Sequence, residues 1–299
     1  MQVIKLNINE IKPSYEPLSI SLGDFDGFHI GHQALALKSF SDSTYINSIL
    51  FLSSSYKERI KGYEILSNLT QKIAWANQNR YERAYVLETD DAFFSLPSEE
   101  FEKMLERLGV NEVFAGEDYR YGFEAKGNLH TLSKAIFKVH RVPLKKDGNE
   151  KISSSSIKEY VKKGDFLKVT SLLGRPYEVY GKVVRGKRNG HALGIPTANL
   201  SFADPYVIPS FGAYYGTAII RGHSYACMIS VGDNPTFQGK NTTVEAHILG
   251  FDAEIYGESV YLSFWEKIRE NKQFSSMEEL KKQLHQDKES TVEYFRKLF

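Results

Sequence analysis

Residues 18–35 read LSISLGDFDGFHIGHQAL, and the order of residue types in this stretch decides how the first half of the chain folds. Residues 18–22 make a strand-like run that passes straight into Gly23, and a helical pattern begins near Gly31. A strand that breaks at glycine and reopens as a helix offers free backbone N–H groups and a positive dipole end, a setting that receives phosphate. Gly23 and Gly27 let the backbone approach a ligand closely. His29 and His32, three residues apart, share one face of the first helical turn. Both can donate to a triphosphate and stabilise charge building on an α-phosphate and its leaving pyrophosphate. The pair also reads as two surface histidines, or as half of a metal site with no third ligand nearby in sequence.

The same alternation continues outward. Strand-like runs at 48–52, 84–87 and 112–115 alternate with helical stretches at 31–40, 66–79 and 98–108. In the last of these, Phe101, Met104, Leu105 and Leu108 follow Ser98 at helical spacing. The pattern predicts an α/β domain, Rossmann-like, with a parallel sheet covered by helices on both faces. Ligands of such a sheet collect beyond the carboxyl ends of the strands, where AGEDYRYGFEAKGN (115–128) brings Asp118. ISSSSIKEY (152–160) sets Ser154 and Ser155 at another helix start, suited to holding phosphate or to plain helix capping.

From Gly174 the texture changes. Runs at 177–184, 213–221, 225–231, 244–249 and 260–264 are rich in Tyr, Val, Ile and Phe, with Gly or Pro between them. Short strands at this spacing predict a small antiparallel Greek-key β-barrel. A helix closes the chain, with Ser276 and Glu279 as a capping box and Met277, Leu280 and Leu284 on one face. Residues 158–171 read as a short helical connector, and the domains divide as 1–172 and 173–299.

Residues 181–187 fit Gly-x4-Gly-Lys, but Arg188 stands where a P-loop requires Ser or Thr. The cations Lys182, Arg185, Lys187 and Arg188 are either a solvated face or a phosphate cradle. GIPTAN, 194–199, favours the cradle, because Thr197 and Asn199 supply hard oxygen ligands suited to Mg²⁺ bridging phosphates. Glu245 is a lone carboxylate in an alternating strand: Val244, Ala246 and Ile248 face one side, Glu245 and His247 the other. It is a solvent-facing residue or, if it points into a barrel mouth, a base for a substrate hydroxyl attacking ATP.

The bulk properties narrow the class. The chain has 299 residues, 41% hydrophobic and 25% charged, and a net charge of +1 that argues against a dedicated nucleic-acid binder. No run approaches the roughly 20 apolar residues of a membrane helix. The N-terminal residues lack the apolar core of a secretory signal. A single cysteine, Cys227, fits a reducing cytoplasm.

In order, GDFDGFHIGH, GEDYRYG and ISSSSIK resemble the FMN adenylyltransferase module of bacterial bifunctional riboflavin kinase/FAD synthetases, over residues 17 to about 172. The stretch from Gly174 through Arg269 resembles the riboflavin kinase module of the same family. The resemblance implies that Gly23, Phe25, His29, Gly31 and His32 line one ATP site, with Asp118, Ser154, Ser155 and Lys158 holding the nucleotide. It implies Lys182, Thr197 and Asn199 at a second Mg²⁺–ATP site, Glu245 as general base on the ribityl 5′-hydroxyl, and Arg269 near flavin and phosphate. The implied reactions are riboflavin plus ATP to FMN and ADP, then FMN plus ATP to FAD and pyrophosphate. Two departures stand out: Lys158 replaces the family's Arg, and FLSSSY (51–56) lacks the prolines of its flavin loop. An enzyme with one live module and a flavin-sensing regulatory protein remain alternatives. The expected partners are small molecules, and nothing in the sequence specifies an oligomer.

Overall fold

The computed structural model describes residues 1–54, 62–186, 194–236 and 239–298, which divide into two compact units, Met1–Ser154 and Ser155–Phe299. The first contains β1 (Gln2–Leu6), β2 (Leu18–Leu22), α1 (Ile30–Asp42), β3 (Ile46–Leu52), α2 (Leu69–Gln78), β4 (Arg83–Leu87), α3 (Ser98–Arg107), β5 (Val110–Gly116) and β6 (Lys138–Val142). These strands form one sheet in the order β1-β4-β3-β2-β5-β6, with every pair parallel. On one face Leu18, Ile20 and Leu22 pack with Phe101, Met104 and Leu105 of α3. On the other, Ile49, Phe51 and Phe114 meet Leu35 and Ala36 of α1 and Trp75 and Ala76 of α2. Covered on both faces, β2 is buried along its whole length, which explains its unbroken run. From β2 the sheet extends one way through β3 and β4 and the other way through β5 and β6. The carboxyl ends of β2 and β5 therefore flank the switch point where such sheets bind ligands.

Two expectations shift here. The helix anticipated over 66–79 begins at Leu69, because Asn68 caps it and forms a capping box with Gln71. Edge strands β1 and β6 escape the sequence pattern because their faces are half exposed and polar residues interrupt the alternation.

In the second unit the anticipated connector is two helices, α4 (Ser154–Lys163) and α5 (Phe166–Leu173). Gly164 breaks them with φ of 75°, and Asp165 caps α5 by accepting from the Lys168 N–H. Phe166 stacks on Phe264 at 5.2 Å and meets Tyr214 edge-on at 5.4 Å. Burial of Phe166, Val169, Leu172 and Leu173 ties α5 to the second unit, ahead of the 172/173 division drawn from the sequence.

Strands β7 (Tyr177–Val184), β8 (Ala198–Ser201), β9 (Gly212–Ile220), β10 (His223–Thr236), β11 (Gly239–Ile248) and β12 (Ser259–Glu270) close a barrel in the order β7-β8-β11-β10-β9-β12. Adjacent strands pair antiparallel. Helix α6 (Met277–Leu298) ends the chain. Ser276 Oγ accepts from the Glu279 N–H at 3.1 Å, while the Glu279 carboxylate reaches back to the N–H and hydroxyl of Ser275. Met277, anticipated on the apolar face, is 56% exposed. The buried positions of α6 are Asp287, Thr291 and Phe295, so its packing face continues from Leu280 and Leu284 through an acid.

Candidate functional sites

After β2 the chain turns through Phe25 (φ 54°), Gly27 (φ 75°) and Phe28 (φ 42°). Left-handed backbone costs a non-glycine residue roughly 1–2 kcal/mol, so something must hold it. Both phenylalanines are fully buried and stack at 5.8 Å. Asp26, 2% exposed, anchors the turn: its Oδ1 accepts from the N–H groups of Leu66 at 2.8 Å and Ser67 at 3.0 Å. The Gly27 N–H donates to Ser67 Oγ, and Ser154 Oγ donates to the Asp26 carbonyl, each at 2.8 Å.

This turn delivers His29 to the N-cap of α1, whose first turn carries no acidic residue. The rings of His29 and His32 stack at 3.7 Å and 17°, and the Phe25 ring lies 5.1 Å from that of His32. A Cβ on Gly31 would come within 3.1 Å of the His29 ring, and one on Gly23 within 3.2 Å of the Phe25 ring. Both glycines are therefore room for aromatic plates.

Gly23, Phe25, His29, Gly31 and His32 thus form one cluster, with Ser154 joined to it through Asp26. Asp118 lies beyond the carboxyl end of β5, exposed and paired with Lys151. Ser155 and Lys158 sit on the first turns of α4. Of the run 51–56, Ser53 and Ser54 bond to Thr89, and the Thr89 Oγ1 donates to the Ser54 carbonyl at 3.0 Å. Ser55 and Tyr56 lie outside the described residues. Among the described residues, no cluster of three or more His, Cys, Asp or Glu could hold a metal ion.

The second cluster is built by strand register. In the barrel Asn199 of β8 pairs with Val184 of β7 on one side and Glu245 of β11 on the other. Thr197 Oγ1 donates to Glu245 Oε2 at 2.9 Å. Val244 and Ala246 are each 2% exposed and fill the interior, so Glu245, half-buried, projects from the outer side. Alternation along β7 puts Lys182 on the same side as Val184 and hence as Asn199. Asn199 lies so close over Gly186 that a Cβ there would overlap its amide. Lys187 and Arg188 lie outside the described residues.

Arg269 is engaged rather than open. Its Nε donates to Asp287 Oδ1 and Oδ2 at 3.2 and 2.9 Å, its Nη2 lies 2.7 Å from Oδ2, and Nη1 donates to the Glu270 carbonyl at 3.1 Å. The sequence reading missed Asp287, as it missed Asp26 and Ser67. Each finds its partner far along the chain, and no local spacing signals it.

Comparison with known proteins agrees with this division of chemistry. The family model for FAD synthetase matches residues 11–156, and that for riboflavin kinase matches residues 173–295. A bifunctional riboflavin kinase/FMN adenylyltransferase of Listeria monocytogenes is 30% identical over 294 residues, covering 93% of each chain. The protein of that name in Bacillus subtilis is 28% identical over 302 residues, covering 96% of each. A crystal structure named as a macrolide-efflux protein from Streptococcus pneumoniae superposes with a TM-score of 0.87, at 30% identity, covering 98% of this chain and 99% of that one. That name speaks of efflux, whereas among the described residues here no helix is long and apolar enough to cross a membrane. With both family models matched in succession and similarity running end to end, the chain belongs to the bifunctional riboflavin kinase/FMN adenylyltransferase family.

Proposed function

We propose that the barrel unit phosphorylates riboflavin to FMN, and that the sheet unit adenylylates FMN to FAD. The observation that carries the kinase half is the Thr197–Glu245 hydrogen bond beside Asn199. A carboxylate that accepts from a neighbouring hydroxyl is held as an acceptor, ready to take a proton. Glu245 removes the ribityl 5′-hydroxyl proton as that oxygen attacks the γ-phosphorus of ATP; the bond to the β-phosphate oxygen breaks and ADP leaves. The donor set of a threonine hydroxyl and an asparagine amide, with no carboxylate cage among the described residues, fits Mg²⁺ held chiefly by substrate phosphates and water. When bound, Mg²⁺ supplies charge neutralisation on those phosphates. Lys182 adds a cation on the same side of the barrel.

In the sheet unit the FMN phosphate attacks the α-phosphorus of ATP and pyrophosphate leaves. His29 and His32 donate from the open N-terminus of α1 to the phosphate oxygens on which charge builds. Asp118, Ser154, Ser155 and Lys158 hold the rest of the nucleotide. In the barrel unit Arg269 lies near flavin and phosphate as a flavin-binding residue. The catalytic division follows the sequence boundary, 1–172 and 173–299. Near-neutral charge supports small-molecule partners over nucleic acid, and a single buried thiol suits the reducing cytoplasm.

Glu245→Gln tests the assignment, since it keeps shape and removes basicity. FMN formation should fall by roughly 10²–10⁴-fold while supplied FMN is still converted to FAD. Near-normal FMN formation would end Glu245's role as the base.

A further inference from the structure

We infer that His247 is a positioning residue of the kinase site, whose Nδ1–H holds the Pro196 carbonyl and thereby sets the Thr197 hydroxyl on Glu245. The inference rests on the kinase reading above. Glu245 and His247 are alternate residues of β11 and reach the same side of the barrel. They grip consecutive residues: Thr197 Oγ1 donates to Glu245 Oε2 at 2.9 Å, and His247 Nδ1 lies 2.7 Å from the Pro196 oxygen. Proline has no N–H, so its carbonyl is the only main-chain handle at that position.

A carbonyl can only accept, so Nδ1 bears the hydrogen and Nε2 of the neutral ring is a bare acceptor. Among the described residues Nε2 has no hydrogen-bond partner, and the side chain is buried, 5% exposed. An apolar side chain would fill this space without stranding an acceptor, so what histidine adds is the donor at Nδ1. Burial pushes the imidazole below its usual range; the Pro196 carbonyl opposes this, and Lys288 of α6 adds to it. The ring therefore stays neutral near pH 7. Neutrality matters, because an imidazolium beside Glu245 would weaken the carboxylate as a base.

Three variants separate the donor from the bulk. His247→Asn places an amide N–H near the Nδ1 position, His247→Gln near the Nε2 position, and His247→Leu supplies none. Turnover for riboflavin phosphorylation should stay within about threefold of wild type in the Asn variant and fall about tenfold or more in the other two. The riboflavin KM should change little, and FAD formation from supplied FMN should be unchanged in all three. Equal activity in all variants, or equal loss in all, overturns the inference; a wild-type protein that makes no FMN overturns the kinase reading instead. If a variant fails to fold, ¹⁵N NMR of the wild-type imidazoles decides alone. A neutral ring protonated at Nδ1 at about pH 7 to 8 is expected, and an Nε2–H tautomer or a charged ring there refutes the clamp.

Discussion

Removing Arg269 should loosen helix α6 from the barrel, and the cost can be worked from the contacts. Asp287 is 2% exposed on α6, and the Arg269 side chain 21% exposed on β12. Their fork-to-fork geometry satisfies both carboxylate oxygens. Truncating one partner of a buried pair leaves an uncompensated charge and costs roughly 3–5 kcal/mol. Gln283 Nε2 still donates to Asp287 Oδ1 at 2.8 Å, so Arg269→Ala should fall at the low end, about 3 kcal/mol. The two tryptophans make the measurement local, since Trp75 lies on α2 and Trp265 on β12. Trp265 meets Phe295 of α6 edge-on at 5.8 Å. In a Trp75→Phe background, a urea titration of Trp265 emission should show the midpoint dropping by about 1–3 M, given slopes of roughly 1–3 kcal/mol per M. Replacing the pair together, as Arg269→Met with Asp287→Leu, should recover most of the loss, because apolar pairs often substitute for buried ions without penalty. A midpoint shift below about 0.3 M, or a double variant as unstable as the single, would refute this reasoning.

Gly31→Ala should favour helix α1 by up to about 1 kcal/mol yet push the His29 ring against His32, with which it already stacks at 3.7 Å. FAD formation should drop about tenfold, with FMN formation and stability maintained; unimpaired FAD synthesis would show that the stacked plate is irrelevant. Glu112 gives the sheet unit a pH dependence. Burial raises its pKa, but the hydrogen bond from Lys138, aided by Ser43 and His140, outweighs that and holds the carboxyl below its ordinary 4.5. A lowered native pKa adds stability that is present in full above 4.5 and lost as pH falls through the native value. Glu112→Gln should thus cost about 1 kcal/mol at pH 7, limited by the exposure of Lys138, and less at a pH well below 4.5, read from Trp75 emission in a Trp265→Phe background. An equal cost at both pH values would assign Glu112 a role in packing alone.

How much of this was legible in the sequence depends on how far apart partners stand. Strand β2, the two histidines, and the Thr197–Asn199 and Glu245 segments announce themselves because each is a local pattern. The sheet's middle strands read clearly since burial on both faces makes them unbroken apolar runs. Edge strands β1 and β6 do not, with one side in water. Asp26 serves residues 40 and 41 positions away, and His247 a carbonyl 51 positions away. Asp287 lies on a highly charged helix, and its partner, 18 residues earlier, is on a strand, beyond any helical spacing. The orientation of Glu245 also needed the structure, since alternation gives two faces without saying which is inside.

The most direct test of the account is the product course of the wild-type protein given riboflavin, ATP and Mg²⁺, followed by chromatographic separation of the flavins. FMN should appear first and FAD after it, with ADP matching all riboflavin consumed and pyrophosphate matching FAD alone. Riboflavin left unphosphorylated, or FMN that accumulates without ever becoming FAD, would contradict the two-site relay.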